Sequence, residues 1–444
     1  MTTLGLDDLK TRLRLPDPGG AMHSLVRELY PFCRSITGDG VRETLKAVSR
    51  QLPIEVHEVP TGTPVLDWVV PKEWNVREAW VKDPSGRKVI DFRRSNLHVL
   101  GYSVPVRARL PLAELKRHLF SLPDRPDWIP FRSSFYAEAW GFCLSHRQLE
   151  ELPEGEYEVL IDATLADGSL TYAEALIPGR SSRQVLLSCH VCHPSLCNDN
   201  LSGIALLTLL GRYLSALSPR YSYRLLFLPV TIGAITWLAR NEDTLSLIEH
   251  GLVVTLVGDA GHTTYKRSRR GDAAIDRAFT HVLAHSGKHD VVDFSPYGYD
   301  ERQFCSPGFD LPVGCLMRTP HGQFPEYHTS ADDLDFVKPE SLADSLAKTL
   351  AALEVLEDDR RYLNTSPKGE PQLGRRGIYR AMAERVGDGA REMALLWVLN
   401  QSDGKHSLLD IADRSGLPFR AIRDAARLLL EHELLRELEP GGDS

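Results

Sequence analysis

Between Gln184 and Asp358 the sequence alternates short apolar runs with longer runs of helical period, and this alternation restricts the fold more than any other feature. The runs RQVLLS, YRLLFLP, GLVVTLVGD and PVGCLMR read as buried strands. Gly203 to Leu214, Gly233 to Leu247, DRAFTHVLAH and ESLADSLAKTLAALEVLED read as helices. Strand and helix in repeated succession build an α/β fold with a mostly parallel sheet and helices on both faces. Such a sheet takes its ligands beyond the carboxyl ends of its strands, where His190, Val230 and Asp259 each fall.

A chain of 444 residues is too long for one ordinary core. Met22 to Leu52 reads as one amphipathic helix or two, with Leu25, Leu29, Leu45 and Val48 as the apolar stripe. From Val56 the texture changes to strand-like runs rich in Trp, Val and Tyr and broken by Pro and Gly. We therefore divide the chain into N-terminal helices of the α/β domain (1–55), an inserted β-rich domain (56–170), the α/β domain proper (171–365) and a C-terminal domain (383–440). The C-terminal segment, reached through NTSPKGEPQLGRRG, reads as three helices in a winged-helix pattern. Its candidate recognition helix sets Arg420, Arg423 and Arg427 against Asp424 and Glu431, which favours docking to protein over reading DNA.

Composition narrows the function classes. A 42% apolar and 25% charged share is that of a soluble globular protein, and a net charge of −8 offers no general attraction to nucleic acid or anionic lipid. No stretch has the length of a membrane span, and the first residues lack the apolar core of a secretory signal. Seven cysteines without an export signal fit reduced thiols, so a cytoplasmic location is expected. Homo-oligomer formation is left open.

The densest chemistry lies in SCHVCHPSLCNDNLSG, residues 188–203. Cys189 to His193 match the C-x-x-C-H haem attachment pattern, which normally requires export and a second axial ligand, neither of which is visible. Cys189, Cys192, His193 and Cys197 could enclose a structural zinc, at cramped spacing. The third reading is a hydrolytic metal centre. His190 closes a strand, Asp199 precedes a helix, Asp259 ends another strand and His328 lies in PEYHTSADDLD, so four ligand-type residues converge on one sheet edge. Singly, Asp199 reads equally as a helix cap and His328 as a surface histidine.

The segments NDNLSG, VGDAG, GYDERQFCSPGFDLPVG and EYHTSADDLD are similar in order and spacing to motifs of the zinc aminopeptidase and glutaminyl cyclase superfamily. More closely, the chain from about Leu25 to Leu438 resembles aminopeptidase-like proteins with an inserted β-domain and a C-terminal winged helix, often encoded beside genes for polysaccharide or specialised-metabolite synthesis. The resemblance implies one or two zinc ions, Asp199 bridging, His190 and Asp259 holding one ion and His328 the other. It implies an amide-bond hydrolase of aminopeptidase type acting on a small peptide-like or amino-acid conjugate.

The pattern breaks where that superfamily places two glutamates, one the general base: LPVTIGAITWL has Val230 and Thr231 there, and Cys192 stands where an acid usually follows the first histidine. Valine neither accepts a proton nor binds zinc. Glu301, then Asp300, become the candidate bases, while His193 could orient a ligand or act as base. Arg318 and His321, with Lys266, Arg267, Arg269 and Arg270 nearby, could bind a substrate anion or form a solvated basic turn. The missing glutamates leave two further readings open: a binding or scaffold protein with impaired catalysis, and a group-transfer or cyclising enzyme.

Overall fold

The computed structural model describes residues 4–378 and 389–438. Contacts divide the described residues into two compact units, one of 6–275 and 290–347, the other of 4–5, 276–289, 348–378 and 389–438.

The first unit is built on an eight-stranded sheet: β1 (Glu55–Pro60), β2 (Ser169–Ile177), β3 (Gln184–His190), β4 (Ser222–Leu228), β5 (Ile248–Val254), β6 (Thr263–Lys266), β7 (His289–Val292) and β8 (Val313–Met317), in spatial order β1-β2-β4-β3-β5-β8-β6-β7. The central strands β4, β3, β5 and β8 run parallel, while β1, β2 and β6 pair antiparallel at the flanks. Every residue of β3 is buried, as in a strand covered on both faces, and its centre, Val185 to Leu187, is a continuous apolar run rather than an alternation, with Gln184, Ser188 and His190 as its buried polar residues. Helix Ser202–Ser215 follows β3 and buries nearly its whole circumference. Its start demands glycine: a Cβ at Gly203 would lie 2.6 Å from the Val254 carbonyl oxygen.

The N-terminal segment forms helices Pro18–Leu29 and Asp39–Ser49, the former capped by Asp17, whose carboxylate accepts the Gly20 N–H at 2.9 Å. Between β1 and β2 hangs an antiparallel four-stranded sheet in the order Lys88–Asp91, Glu73–Lys82, Glu156–Ala166, Val106–Pro111. The first and last strands of the β-rich region pair with each other inside the main sheet, so the insertion proper is a loop-out between them. Its proline-bearing segment 129–134 reaches the site: Phe131 N–H donates to the His328 carbonyl at 2.7 Å, and Ser330 N–H to the Ile129 carbonyl at 2.8 Å.

The second unit carries the winged helix. Helices Gly389–Gln401, Leu408–Ser415 and Phe419–Glu431 pack with a three-stranded sheet of Asp403–Ser407, Arg361–Asn364 and Leu435–Glu437. The third helix is not a free basic surface. Arg420 pairs with Glu354 at 2.6 Å, Arg423 with Glu354 at 2.5 Å, and Arg427 with Asp358 at 3.2 Å. Both acids lie in the last part of helix Pro339–Asp358. Among the described residues no helix is long and apolar enough to cross a membrane.

Candidate metal centre

The loops at the carboxyl ends of β3, β5 and β8 meet around Asp199, whose side chain is fully buried. His190, the last residue of β3, places Nε2 2.8 Å from Asp199 Oδ1, and His328 places Nε2 2.9 Å from Oδ2. A third imidazole completes the group: His193 Nε2 lies 3.9 Å from Asp199 Oδ2. Ligand atoms of His190, His193 and Asp199 all lie within 4.8 Å of one another, and all three residues are buried. Burial pushes the His193 pKa down to about 3, so its ring is neutral and a nitrogen lone pair is free for a metal.

The loop is held from behind. Asp332, the acid four residues beyond His328, accepts the Asn198 N–H at 2.6 Å and the Asp199 N–H at 3.0 Å. Arg34 is almost wholly buried, and its Nε donates to the His193 carbonyl at 2.8 Å and its Nη1 to the Leu29 carbonyl at 2.7 Å. Rings wall the group: Tyr299 stacks on His190 at 5.2 Å, Tyr327 on His328 at 3.9 Å, and Phe131 stands edge-on to His193 and His328 at 5.2 and 5.1 Å.

Asp259 takes a different place from the one its motif implies. Oδ2 accepts from Asn198 Nδ2 at 3.0 Å and from the Thr319 N–H at 3.2 Å, while Oδ1 accepts from the Gly261 N–H and the Thr319 hydroxyl, each at 2.7 Å. Four donors occupy the carboxylate, and, like His328, it stands outside the compact His190–His193–Asp199 group, but unlike His328 it makes no contact with Asp199 among the described hydrogen bonds and ion pairs. Its observed role is to tie the loops after β3, β5 and β8 together.

The candidate bases separate. Glu301 is buried and bound by Lys266 Nζ at 2.7 Å and the Tyr299 N–H at 3.0 Å, so its charge is already answered. Asp300 is equally buried, yet its Oδ1 has no hydrogen-bond partner, and burial with the neighbouring Glu301 charge holds its carboxyl well above the ordinary aspartate range. It lies close enough to Cys189 and Cys192 to raise their thiol pKa values further. Burial likewise keeps Tyr299 a neutral phenol, with the Asp199 charge adding to the effect.

The basic residues of the candidate anion clamp have partners within the fold. Arg318 donates to the Gly261 carbonyl at 2.8 Å and to Asp344 at 2.6 Å, which commits its guanidinium to the fold. Lys266 serves Glu301, Arg267 pairs with Asp293 at 3.3 Å, and Arg269 and Arg270 pair with Asp310 at 2.7 and 3.3 Å. His321 faces Tyr297 and Tyr299 with ring separations of 5.3 and 5.6 Å, and burial lowers its pKa, so it borders the site as a neutral ring.

Among the described residues the cysteines do not gather into a metal-binding group: Cys189, Cys192 and Cys197 are buried and burial raises each thiol pKa, while the ligand atoms that do come together there are those of His190, His193 and Asp199. Cys192 Sγ instead accepts the Val230 N–H at 3.2 Å. Tyr299, Tyr327, Phe131 and Asp332 complete the site without having stood out as site residues in sequence, whereas His193 was already a candidate to orient a ligand or act as base. Asp332 alone carried a motif signal, as the acid closing H-T-x-x-D.

Residues 23–359 match the family model described as a domain of unknown function, DUF4910, and residues 360–437 match a winged helix-turn-helix model. A Clostridium acetobutylicum protein named for polysaccharide biosynthesis and an aminopeptidase-like domain is 52% identical over 421 residues, covering 95% of this chain and 97% of that protein. A crystal structure from the same organism, of a protein described as a candidate peptidase, shares 52% identity and superposes with a TM-score of 0.90 over 95% of this chain and 96% of that one. BSAP, a zinc aminopeptidase from Bacillus subtilis, shares the fold at 12% identity, with a TM-score of 0.56 over 76% of this chain and 94% of its own. The chain belongs to the DUF4910 family, with an aminopeptidase-like α/β fold and a C-terminal winged helix.

Proposed function

We propose that the protein is a zinc-dependent amide-bond hydrolase acting on a small peptide-like or amino-acid conjugate in a biosynthetic setting. The observation that carries this reading is the convergence of imidazoles from separate loops on both oxygens of the buried Asp199. Imidazole nitrogen and carboxylate oxygen are the donor set of hydrolytic zinc, so the residues fit the ion, with His190, Asp199 and His328 available to hold it. When bound, zinc would supply the Lewis acidity that polarises an amide carbonyl.

The remaining work falls to the chain. Tyr299, a neutral phenol beside Asp199, can donate a hydrogen bond to a developing oxyanion. Asp300, whose carboxyl burial holds well above the ordinary aspartate range, is a better group for protonating a leaving amine than Glu301, which Lys266 binds. Phe131 and Tyr327 border His328 with their rings, and His321 stands beside Tyr327. Proximity of a polysaccharide-linked name in the C. acetobutylicum relative supports a conjugate rather than a protein as substrate.

The test is zinc content by plasma mass spectrometry beside hydrolysis of a panel of aminoacyl and N-acyl amides. Asp199→Ala and His190→Ala should lose both zinc and activity, and full activity in both variants would overturn the reading. A second reading, a ligand-binding protein with impaired catalysis, is favoured by Val230 and the occupied Glu301. Under it the wild-type chain binds zinc but leaves the panel intact, and Val230→Glu creates hydrolysis.

A further inference from the structure

The motif reading gives zinc two half-sites, each using carboxylates. The structure withholds those carboxylates. Asp259 is saturated by four donors, Val230 is apolar, and Cys192 is a buried thiol accepting the Val230 N–H. Asp199 is the one carboxylate left among the converging side chains, so two zinc ions would leave three uncompensated positive charges in a buried place, and a single ion leaves one.

What the structure adds in exchange is an imidazole. His193 follows His190 by three residues on a turn that brings their ring centroids to 5.0 Å, and its ring lies 5.2 Å from that of His328. Its backbone is fixed by Arg34, a buried guanidinium without an acidic partner among the described salt bridges, whose Nε donates to the His193 carbonyl at 2.8 Å. A buried arginine is costly unless it holds something in place. Here it fixes the turn that aims His193 at Asp199, while Phe131 of the insertion closes the outer side against both His193 and His328.

We propose that His193 is the third imidazole ligand of a single-zinc centre formed by His190, His193, His328 and Asp199, with Asp259 a loop tie outside it. The exchange of carboxylate for imidazole lets one ion replace two. This rests on the zinc reading above and specifies the ligand set. Imidazole and carboxylate are a common zinc donor set; with four protein ligands the ion would have to expand its coordination to take substrate or water, and the hydrogen bonds that position the ligands affect affinity nearly as much as the ligands do.

The experiment is zinc stoichiometry together with X-ray absorption at the zinc edge, on the full wild-type chain and on His193→Ala. The wild type should hold one zinc per chain with three imidazoles. His193→Ala should show two imidazoles and a zinc affinity lower by about 10²-fold or more, beyond the usual range for a merely supporting residue. Two zinc ions per chain, or two or fewer imidazoles in the wild type, overturns the proposal and leaves the hydrolase reading standing. An unchanged imidazole count in His193→Ala also overturns it. Failure to bind any zinc overturns both. The wild-type measurement decides even if the variant does not fold.

Discussion

Asp332 connects stability to metal binding, and its removal should affect both in proportion. The side chain is fully buried and its two oxygens accept the N–H groups of Asn198 and Asp199 at 2.6 and 3.0 Å. Asp332→Ala leaves two buried donors without partners, each costing about 1–3 kcal/mol, so unfolding free energy should fall by about 2–6 kcal/mol. Asp332→Asn keeps one acceptor but turns an amide NH₂ toward one of the N–H groups, and should cost about half as much. Because the lost bonds fix the backbone of Asp199 itself, zinc affinity should drop by about 10–100-fold in the asparagine variant, the range typical of groups that orient metal ligands. Urea unfolding of the metal-free chain measures the first effect and competition with a chromophoric chelator the second. An alanine variant within about 0.5 kcal/mol of the wild type, or an asparagine variant with wild-type zinc affinity, would refute the reasoning.

Three further outcomes follow. His250 in β5 is buried, faces Tyr221, and is pushed down to about 4 from 6.5, so its neutral form is the folded form; stability is full above about pH 6.5 and declines toward pH 4, by about 2 kcal/mol at pH 5. His250→Leu should remove that part of the slope in unfolding curves at pH 7 and 5, and an unchanged slope would count against it. Glu354→Ala takes one acid from the almost fully buried Arg423, which keeps Asp424 at 2.9 Å and Asp358 at 3.5 Å, and should cost the winged-helix unit about 1.5–3 kcal/mol in denaturant unfolding, a loss below about 0.5 kcal/mol being inconsistent with the pairing. With its three arginines engaged, the third helix should give the full chain no steeply salt-dependent affinity for duplex DNA; micromolar binding with such a slope in fluorescence anisotropy would contradict this.

The α/β scaffold was legible because a strand buried on both faces carries a continuous apolar run, as Val185 to Leu187 of β3 do, instead of an alternation. The turn that carries Asp199 was legible because Gly203 has no room for a Cβ and so leaves a mark in sequence. What residues do inside the site was less so, because it depends on partners far away along the chain. Asp259 is a ligand-type residue whose occupancy is set by Thr319, sixty residues later, and Arg318 resembles an anion clamp until Asp344 is placed beside it. Glu301 looks like a base until Lys266 is brought to it across 35 residues. A carboxylate or guanidinium advertises its chemistry in sequence but not whether that chemistry is already satisfied. His193 shows the converse: its neighbour His190 carried the motif, and only the turn held by Arg34 reveals that both rings meet the same carboxylate.

The same accounting bears on which amides suit the site. An enzyme that removes a free N-terminal residue must offer an anion to the substrate ammonium. Around this cluster Asp199 faces the imidazoles, Asp259 is saturated, Glu301 is bound by Lys266 and the Tyr299 N–H, Asp332 is turned to backbone N–H groups, and burial holds the Asp300 carboxyl well above the ordinary aspartate range. An ammonium entering here would forgo a charged hydrogen bond, a loss of about 1.5–3 kcal/mol, while an acylated or otherwise neutral nitrogen would forgo nothing. N-acyl conjugates should therefore be cleaved with kcat/KM about tenfold or more above that of the matching free-amine amides. Paired substrates differing only in that acyl group decide the matter, and faster turnover of the free amines would mean that a carboxylate described here as occupied opens on binding.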